Sequence, residues 1–385
     1  MKIVFVSNYY NHHQSALSQA LYRLTEGQYT FVQTEEMEAD RKRLGWGLQL
    51  PAFVKCSYES KEALRACRKL VMEADLVIVG GSPSVEKLVQ RRIKSGKLVF
   101  RYSERVYKNA RTEKQRLLRG IKYHLCNFPY KNVYLLSASA YAAGDYAKTG
   151  NFVDKAYRWG YFPEVKRYDS PQALVADKAP GSILWVARLI DWKHPEACLS
   201  VARQLKAEGY DFRLDMIGNG PLEEQLRRQI QQEGLSDCVR LLGSMKPEQV
   251  RQHMENAGIF LFTSDFGEGW GAVLNEAMNS GCAVVSSHAI GATPYLVADG
   301  ENGLIYQNGD TQDLCQKVKS LLEDAEKRRQ LGLQAYETMA GLWNPETAAQ
   351  RLVELARRIL SGETMPECYE DGPCSKAQRL RNDWY

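Results

Sequence analysis

The segment from Ser264 to Gly281 combines a glycine-rich turn with two glutamates. Glu268 lies in the turn and Glu276 follows it eight positions later, about two helical turns further on. The turn continues into a helical pattern through Gly269, Trp270 and Gly271. Backbone N–H groups at the N-terminus of a helix bind anions, so this turn is a candidate diphosphate site. We expect both carboxylates to face one pocket at different depths, next to that anion site.

Two cationic side chains follow another short apolar pattern. Arg188 comes directly after the pattern that contains Trp185, and Lys193 follows five residues later, before the next helical pattern. A guanidinium binds phosphate as a planar fork and an ammonium binds it as a point charge, so both can hold the same group. A surface salt bridge is the alternative interpretation of this pair.

A third candidate loop lies at residues 218–222 and contains Gly218, Asn219 and Gly220. Glycine allows the backbone to approach a ligand closely, and the proline that follows suits the first turn of a helix. The loop is not the dinucleotide-binding fingerprint, because a third glycine is missing and the loop follows the second strand of its domain. A ligand-binding loop and a plain tight turn both remain open from these residues.

Alternating strand and helix patterns position these loops. Each half of the chain predicts five short strands separated by amphipathic helical patterns, which is typical of parallel sheets covered by helices. One such pattern, over 111–125, places Leu117, Leu118, Ile121 and Leu125 on one side. We therefore expect an α/β fold with two tandem Rossmann-like, doubly wound domains and a cleft between them, with ligands beyond the carboxyl ends of the strands.

The same patterns predict the domain boundaries. They are an N-terminal domain over 1–165, a proline-containing linker over 166–181, a C-terminal domain over 182–343, a final helix over 344–361 and a loosely held polar tail over 362–385.

Length and composition limit the class of protein. The 385 residues exceed what one hydrophobic core usually serves, and 44% apolar with 25% charged residues exclude a disordered chain, a collagen and a coiled coil. The net charge of +5 is too small to indicate nucleic-acid binding. No apolar run reaches the roughly 18 residues that span a bilayer, and the short run Ile3–Val6 predicts a strand rather than a signal peptide. We expect a cytoplasmic protein.

The nine cysteines are odd in number and scattered, as is typical of reduced thiols. None is paired at zinc-finger spacing, and no metal site is predicted. Cys368 and Cys374 differ in lying in the polar tail, and the sequence leaves their role open.

Residues 87–131 are strongly basic. They contain fourteen lysines and arginines but only Glu104 and Glu113, a local charge of 14 − 2 = +12. Aromatic residues are interleaved, among them Tyr107 and Phe128. A solvated helix surface explains the charge, and so does attraction to an anionic membrane surface, in peripheral contact at the inner face of the cytoplasmic membrane, or to a phosphate-bearing acceptor. Single-stranded nucleic acid fits the pattern less well.

Residues 182–345 resemble the nucleotide-sugar-binding domain of retaining glycosyltransferases of the GT-B class, family 4. The pair Arg188 and Lys193 resembles the diphosphate clamp of that family, and residues 218–222 resemble its turn near the ribose and base. Glu268 and Glu276 resemble its two-glutamate motif. The resemblance implies that Glu268 contacts donor-sugar hydroxyls and Glu276 binds the ribose, and that a helix after Trp343 crosses back to the N-terminal domain.

The N-terminal half resembles the family less closely. The loop after the first strand contains His12 and His13 instead of a Gly-Gly pair, before a helix predicted to begin near Ser15. Either histidine is a candidate acceptor-site residue or a structural one. Further acceptor candidates follow the fourth strand: Arg101, Glu104 and Arg105.

The resemblance implies a metal-independent hexosyl transfer without a cofactor, from a UDP- or GDP-sugar to a saccharide or lipid-linked saccharide, in cell-surface polysaccharide or glycolipid synthesis. Arg188, Lys193 and Glu268 would be the catalytic residues. A non-catalytic sugar-nucleotide-binding partner of another transferase and a GT-B epimerase or phosphorylase remain alternatives. The absence of a glycine fingerprint after the first strands disfavours a nicotinamide-dependent dehydrogenase.

Overall fold

A computed structural model describes residues 1–38, 47–108, 112–127 and 130–385. The chain divides into two compact units. The first unit comprises residues 1–164 and 343–384, and the second comprises residues 165–342 with Tyr385. The first unit is therefore built from two separate stretches of the sequence.

The first unit contains a seven-stranded, fully parallel sheet in the order β3-β2-β1-β4-β5-β6-β7. Its strands are β1 (Ile3–Ser7), β2 (Tyr29–Gln33), β3 (Val54–Cys56), β4 (Leu76–Val79), β5 (Leu98–Ser103), β6 (Val133–Ser137) and β7 (Ala156–Arg158). Its helices are α1 (His12–Leu24), α2 (Lys61–Glu73), α3 (Glu86–Lys94), α4 (Glu113–Asn127), α5 (Ala142–Ala147) and, from the end of the chain, α14 (Pro345–Leu360).

The second unit contains a six-stranded, fully parallel sheet in the order β10-β9-β8-β11-β12-β13. Its strands are β8 (Ala179–Val186), β9 (Arg213–Ile217), β10 (Val239–Leu241), β11 (Ala257–Phe262), β12 (Ala283–Ser287) and β13 (Leu304–Tyr306). Its helices are α6 (Pro171–Ala176), α7 (Pro195–Ala207), α8 (Glu223–Gln232), α9 (Pro247–Asn256), α10 (Ala272–Asn279), α11 (Thr293–Leu296), α12 (Thr311–Glu323) and α13 (Ala325–Glu337). Two tandem doubly wound domains are thus confirmed.

Burial explains why the strands are almost continuously apolar. Both faces of each sheet are covered, so β4, β6 and β11 are buried along their whole length. In each unit, helices contribute apolar side chains to a core that also contains the strand residues. Three strands not predicted from the sequence, β3, β7 and β13, have only three residues each.

The structure differs from the predicted linker and tail. Residues 166–181 contain α6 and the first residues of β8, and they belong to the second unit. Within the tail, Ser375 accepts a 2.7 Å hydrogen bond from the backbone N–H of Arg158, and Cys374 donates to the carbonyl of Arg158 at 2.8 Å. Part of the tail thus pairs with the outer edge of β7 instead of being loosely held.

Helix α4 also differs from expectation. The apolar residues that recur along it were expected to cover the sheet, but Leu117, Leu118, Ile121 and Leu125 are exposed. The predicted start of this helix at Arg111, and Phe128 beyond its end, lie outside the described residues.

Within the described part of the chain, no helix combines the length and the apolarity needed to cross a bilayer. All nine cysteines are free, and burial raises the pKa of both Cys368 and Cys374.

Candidate functional site

Two loops of the second unit lie together because their strands are neighbours. Trp185 of β8 pairs with Leu261 of β11, so the loops that follow these strands leave the sheet at the same edge. The Trp185 indole donates to Thr263 Oγ1 at 2.9 Å, and that hydroxyl donates to the carbonyl of Lys193 at 2.7 Å. The backbone N–H of Asp265 donates to the Trp192 carbonyl at 3.1 Å. The loop that carries Lys193 is therefore fixed against the loop that carries Glu268.

Lys193 and Glu268 form a buried ion pair. The Lys193 Nζ donates to Glu268 Oε2, and each side chain is only 11% exposed. The Ser264 hydroxyl donates to the same carboxylate oxygen at 3.1 Å, and the Lys193 ammonium lies 4.4 Å from the centre of the Trp192 ring. The sequence placed both residues in the site but did not predict that they contact each other.

Arg188 lies at the solvent-exposed end of this cluster. Its side chain is exposed, and the guanidinium carbon lies 5.9 Å from the centre of the Trp192 ring. Within the described residues it makes no ion pair, so the surface salt bridge is not observed. The Trp192 ring therefore lies close to both Arg188 and Lys193.

The glycines of the 218–222 loop allow it to pack on the loop that carries Arg188. Gly218 has φ +141°, and a Cβ there would lie 1.8 Å from the carbonyl oxygen of Ala187. The backbone N–H of Leu189 donates to the Asn219 carbonyl at 2.9 Å, and Leu222 donates back to Leu189 at 3.1 Å. A close backbone contact was expected here, but the partner is another loop of the protein. These glycines position the Arg188 loop.

The turn before α10 requires glycine and buries its tryptophan. Gly271 has φ +92°, and a Cβ there would lie 2.4 Å from Cζ of Phe262. The Trp270 indole is fully buried and donates to Asn275 Oδ1 at 2.9 Å. The turn of residues 269–271 was predicted to bind the donor diphosphate, and because the Trp270 ring packs inside the unit, the turn can offer an anion its backbone but not this side chain.

Glu276 lies in the second turn of α10. Burial raises the pKa of its carboxyl, and the positive charge of Arg251 acts in the opposite direction. Arg251 itself donates to Asn279 Oδ1 at 2.8 Å at the end of the same helix. A raised pKa favours the protonated form of the Glu276 carboxyl. In that form the group can both donate hydrogen bonds to hydroxyl groups and accept hydrogen bonds from them.

His194 is a site residue that the sequence analysis missed. Its Nε2 lies 3.2 Å from Asp265 Oδ2 and its Nδ1 lies 2.8 Å from Glu196 Oε1. Hydrogen bonds to Asp265 and then to Glu196 raise the pKa of His194 to about 9. Asp265 also accepts a 2.7 Å hydrogen bond from the Gly267 N–H, within the turn that carries Glu268. The only sequence signal was the position of His194 beside Lys193.

The acceptor candidates lie in the first unit, where each is paired with a neighbouring side chain. Arg101 forms a two-bond ion pair with Glu86, at 2.7 and 2.8 Å. Arg105 contacts Asp145 at 3.2 Å, and Glu104 accepts a 2.6 Å hydrogen bond from the Tyr161 hydroxyl. Arg101 also lines a cavity of about 220 Å³ beyond the ends of β4 and β5. Its other lining residues include Gly80, Gly81, Ser82, Ser103 and Lys122.

His12 and His13 form the first turn of α1, so the helix begins before the predicted start near Ser15. Asn11 caps the helix, because its side chain accepts a 2.9 Å hydrogen bond from the His13 N–H. Burial lowers the pKa of His12, and burial together with the charge of His12 lowers the pKa of His13 to about 3. Both rings are therefore neutral at physiological pH, and the His13 ring stacks on Tyr161 at 5.7 Å.

The second unit is similar in sequence to a family of known proteins. Residues 167–338 match the family model described as glycosyl transferases group 1. The chain is 32% identical over 191 residues to the putative colanic acid biosynthesis glycosyltransferase WcaL of Salmonella typhimurium, covering 47% of each chain. It is 33% identical over 186 residues to the amylovoran biosynthesis glycosyltransferase AmsK of Erwinia amylovora, covering 47% of this chain and 45% of AmsK. The similarity thus spans about half the length of these relatives.

A solved structure extends the likeness over both units. Anabaena HepE in complex with UDP matches with a TM-score of 0.69 and 17% identity, covering 93% of this chain and 100% of that one. At this identity the likeness is one of fold. Residues 167–338 therefore resemble the glycosyl transferases group 1 family, within a chain that has the GT-B fold of two Rossmann-like domains.

Proposed function

We propose that this protein is a retaining, family 4 glycosyltransferase that moves a hexosyl group from a nucleotide-diphosphate sugar to a saccharide or lipid-linked saccharide. The observation that carries the proposal is the cluster of Arg188, Lys193 and Glu268 beside the glycine turn of α10. This cluster combines cations for a diphosphate with a carboxylate for sugar hydroxyls.

The donor would bind to the second unit through its charged groups. An ammonium has three N–H donors, so Lys193 can hold Glu268 and a phosphate oxygen at the same time. Arg188 is exposed and would add a bidentate contact to the diphosphate. The N-terminus of α10 would supply backbone N–H groups, and Glu276 would bind the ribose hydroxyls. The UDP in HepE supports a uridine diphosphate donor.

The chemistry needs no protein nucleophile. The bond between the anomeric carbon and the diphosphate oxygen breaks first, so positive charge develops on the sugar and negative charge on the leaving phosphate. Arg188 and Lys193 stabilise the phosphate charge, and Glu268 orients the sugar. The acceptor hydroxyl enters on the face that the diphosphate leaves, and its proton passes to a phosphate oxygen. The anomeric configuration is therefore retained.

We also propose that the reaction is independent of a metal ion, because Arg188 and Lys193 supply positive charge where a divalent cation would otherwise neutralise the diphosphate. Activity should then be unchanged in the presence of a chelator. A loss of activity with the chelator that added Mg²⁺ or Mn²⁺ restores would contradict this part of the proposal.

The acceptor would bind to the first unit, around the cavity lined by Arg101. The cavity lies beyond the carboxyl ends of parallel strands, where ligands bind in open α/β sheets. The similarity to WcaL and AmsK, glycosyltransferases of colanic acid and amylovoran biosynthesis, favours an acceptor in cell-surface polysaccharide synthesis.

The first experiment is thermal unfolding of the protein with UDP, GDP, ADP, CMP and their sugars. A ligand that binds the native state raises the unfolding midpoint by mass action. We expect one nucleotide to raise the midpoint, and the shift to be lost in Glu276→Ala but kept in the matched control Glu248→Ala, an exposed glutamate of α9. No shift with any nucleotide would contradict the donor site.

Catalysis is then tested with the nucleotide sugar that binds. We expect Glu268→Gln to abolish transfer to an added saccharide while the nucleotide still raises the unfolding midpoint. Transfer by Glu268→Gln at the wild-type rate would refute the role of Glu268. Nucleotide binding without transfer by the wild type to any lipid-linked or free saccharide would favour the non-catalytic alternative.

A further inference from the structure

Helix α4 exposes four large apolar side chains to solvent. Leu117 is 64% exposed, Leu118 57%, Ile121 49% and Leu125 71%. We call these four residues the α4 stripe. With 100° per helical residue they fall within an arc of about 100°, so they form one continuous strip along the helix.

Residues beside and behind the stripe attach α4 to the first unit. Gly120 is buried, and a Cβ there would lie 2.5 Å from Cγ2 of Thr149. The Tyr123 ring packs edge-on against Tyr146 at 5.3 Å, and His124 Nδ1 lies 2.8 Å from the Thr149 carbonyl. The stripe therefore cannot turn inward without breaking these contacts.

Basic side chains lie beside the stripe on α4 and on the neighbouring helix α3. Lys114 lies in line with it near the start of α4, and Lys122 lies on its flank. The neighbouring helix α3 contacts α4 through Gln90, whose amide donates to the Cys126 carbonyl at 2.7 Å. α3 itself carries three exposed cations: Lys87, Arg91 and Lys94. Across the part of the chain that the structure describes, none of these five cations forms an ion pair.

We infer that the α4 stripe inserts into the surface of an anionic lipid bilayer, with the cations of α3 and α4 at the level of the lipid headgroups. A helix with an apolar side and basic flanks lies in the plane of a membrane interface, where apolar burial and attraction to anionic lipid act together. The inference goes beyond the proposed transferase activity, because it assigns a docking surface far in sequence from the donor residues.

A second copy of the chain fits this surface less well. In a symmetric dimer the same patch faces itself, so the cations beside the stripe would repel one another. One helix with four apolar residues is also small compared with the roughly 800 Å² that each partner contributes to a stable interface. An anionic bilayer has the opposite charge and accepts a narrow apolar strip.

The test is co-sedimentation of the full chain with vesicles, without nucleotide. One set of vesicles contains phosphatidylcholine alone, and the other contains equal amounts of phosphatidylcholine and phosphatidylglycerol. The test variant is Leu118→Glu with Leu125→Glu. The matched control is Leu360→Glu with Met365→Glu, which replaces two apolar residues of the same unit that are each 49% exposed and adds the same charge.

We expect the wild type and the control to bind the anionic vesicles and to be released by high salt. The test variant should bind about tenfold or more weakly, because it loses two leucines that would insert into the bilayer and gains two negative charges that the anionic lipid repels. Equal binding by the test variant, or no binding by the wild type, would overturn the inference. A dimer in solution that the test variant dissociates would show that a second copy covers the stripe. Nucleotide-induced thermal stabilisation, measured on the same samples, tests the donor site separately.

Discussion

The ion pair between Lys193 and Glu268 leads to a prediction about stability as well as activity. Replacing Glu268 by alanine leaves the Lys193 ammonium in a nearly buried position without the carboxylate that balances it. Glu268→Gln keeps an oxygen that can accept hydrogen bonds from the ammonium and from Ser264. Both variants therefore remove the same negative charge. They differ in how many hydrogen-bond donors of Lys193 and Ser264 lose their acceptor.

The expected magnitude follows from the burial of the pair. Each side chain is 11% exposed, and removal of one partner from a buried ion pair costs about 3–5 kcal/mol. The remaining exposure allows some hydration of the ammonium, so we take the lower end, about 3 kcal/mol. For a unit of this size that corresponds to a decrease of about 6–12 °C in Tm. Glu268→Gln should cost about 1 kcal/mol.

The assay is thermal and urea unfolding of four proteins: wild type, Glu268→Ala, Lys193→Met and the double variant. The double variant removes both charges and keeps an apolar chain at position 193. We expect it to be more stable than Glu268→Ala alone, because the stranded charge is gone. The two units can unfold separately, so the unfolding curves are fitted with two transitions, and the variants are compared through the transition that they shift.

Two results would refute this reasoning. One is a Glu268→Ala variant as stable as the wild type, which would mean that water or other groups satisfy Lys193 fully. The other is additive effects in the double variant, which would mean that the two side chains are not energetically coupled.

Three further outcomes are expected. Gly218→Ala should destabilise the second unit by several kcal/mol, about 3 or more, because its Cβ would lie 1.8 Å from a carbonyl oxygen; Gly209→Ala, also at positive φ but with no atom within 4 Å, should cost about 1–2 kcal/mol. Because the folded-state pKa of His194 is raised to about 9, its contribution to stability should be full below about pH 6.5 and be lost as pH rises through 9, and a Tm series from pH 6 to pH 10 should lose this slope in His194→Gln; an unchanged slope would contradict the contact with Asp265. Arg188→Ala should leave Tm almost unchanged but weaken UDP binding about 10- to 100-fold in calorimetry, since one charge-assisted contact is lost; wild-type affinity would remove Arg188 from the donor site.

Much of the fold was predictable because each sheet is buried on both faces. Buried parallel strands appear in the sequence as short apolar runs. The charged residues and glycines of the candidate site lie in the loops that follow these runs. The order of these runs therefore predicted two sheets and placed Arg188, Lys193 and Glu268 in loops of the same domain. The strands β3, β7 and β13 were missed because three residues rarely show a pattern, although β10, of the same length, was predicted.

Other features depend on contacts that no local pattern contains. The periodicity of α4 shows that the helix has an apolar side, but not whether protein covers that side. His194 and Asp265 are 71 residues apart in sequence. They are in contact only because β8 and β11 are neighbours in the sheet. Gly218 was expected to approach a ligand, and the sequence does not show that another loop occupies the space beside its Cα.

The divided first unit has a consequence for synthesis on the ribosome. Apart from Tyr385, the second unit is one continuous stretch, so it can complete its sheet as soon as residue 342 has emerged. The first unit cannot, because α14 packs on α1, and residues near 375 pair with the edge of β7. While the second unit folds during translation, the edge of β7 in the first unit therefore remains unpaired and α1 remains uncovered. An open edge invites pairing with other chains. The period in which the first unit is most prone to aggregation thus ends only after the residues near 375 have been made.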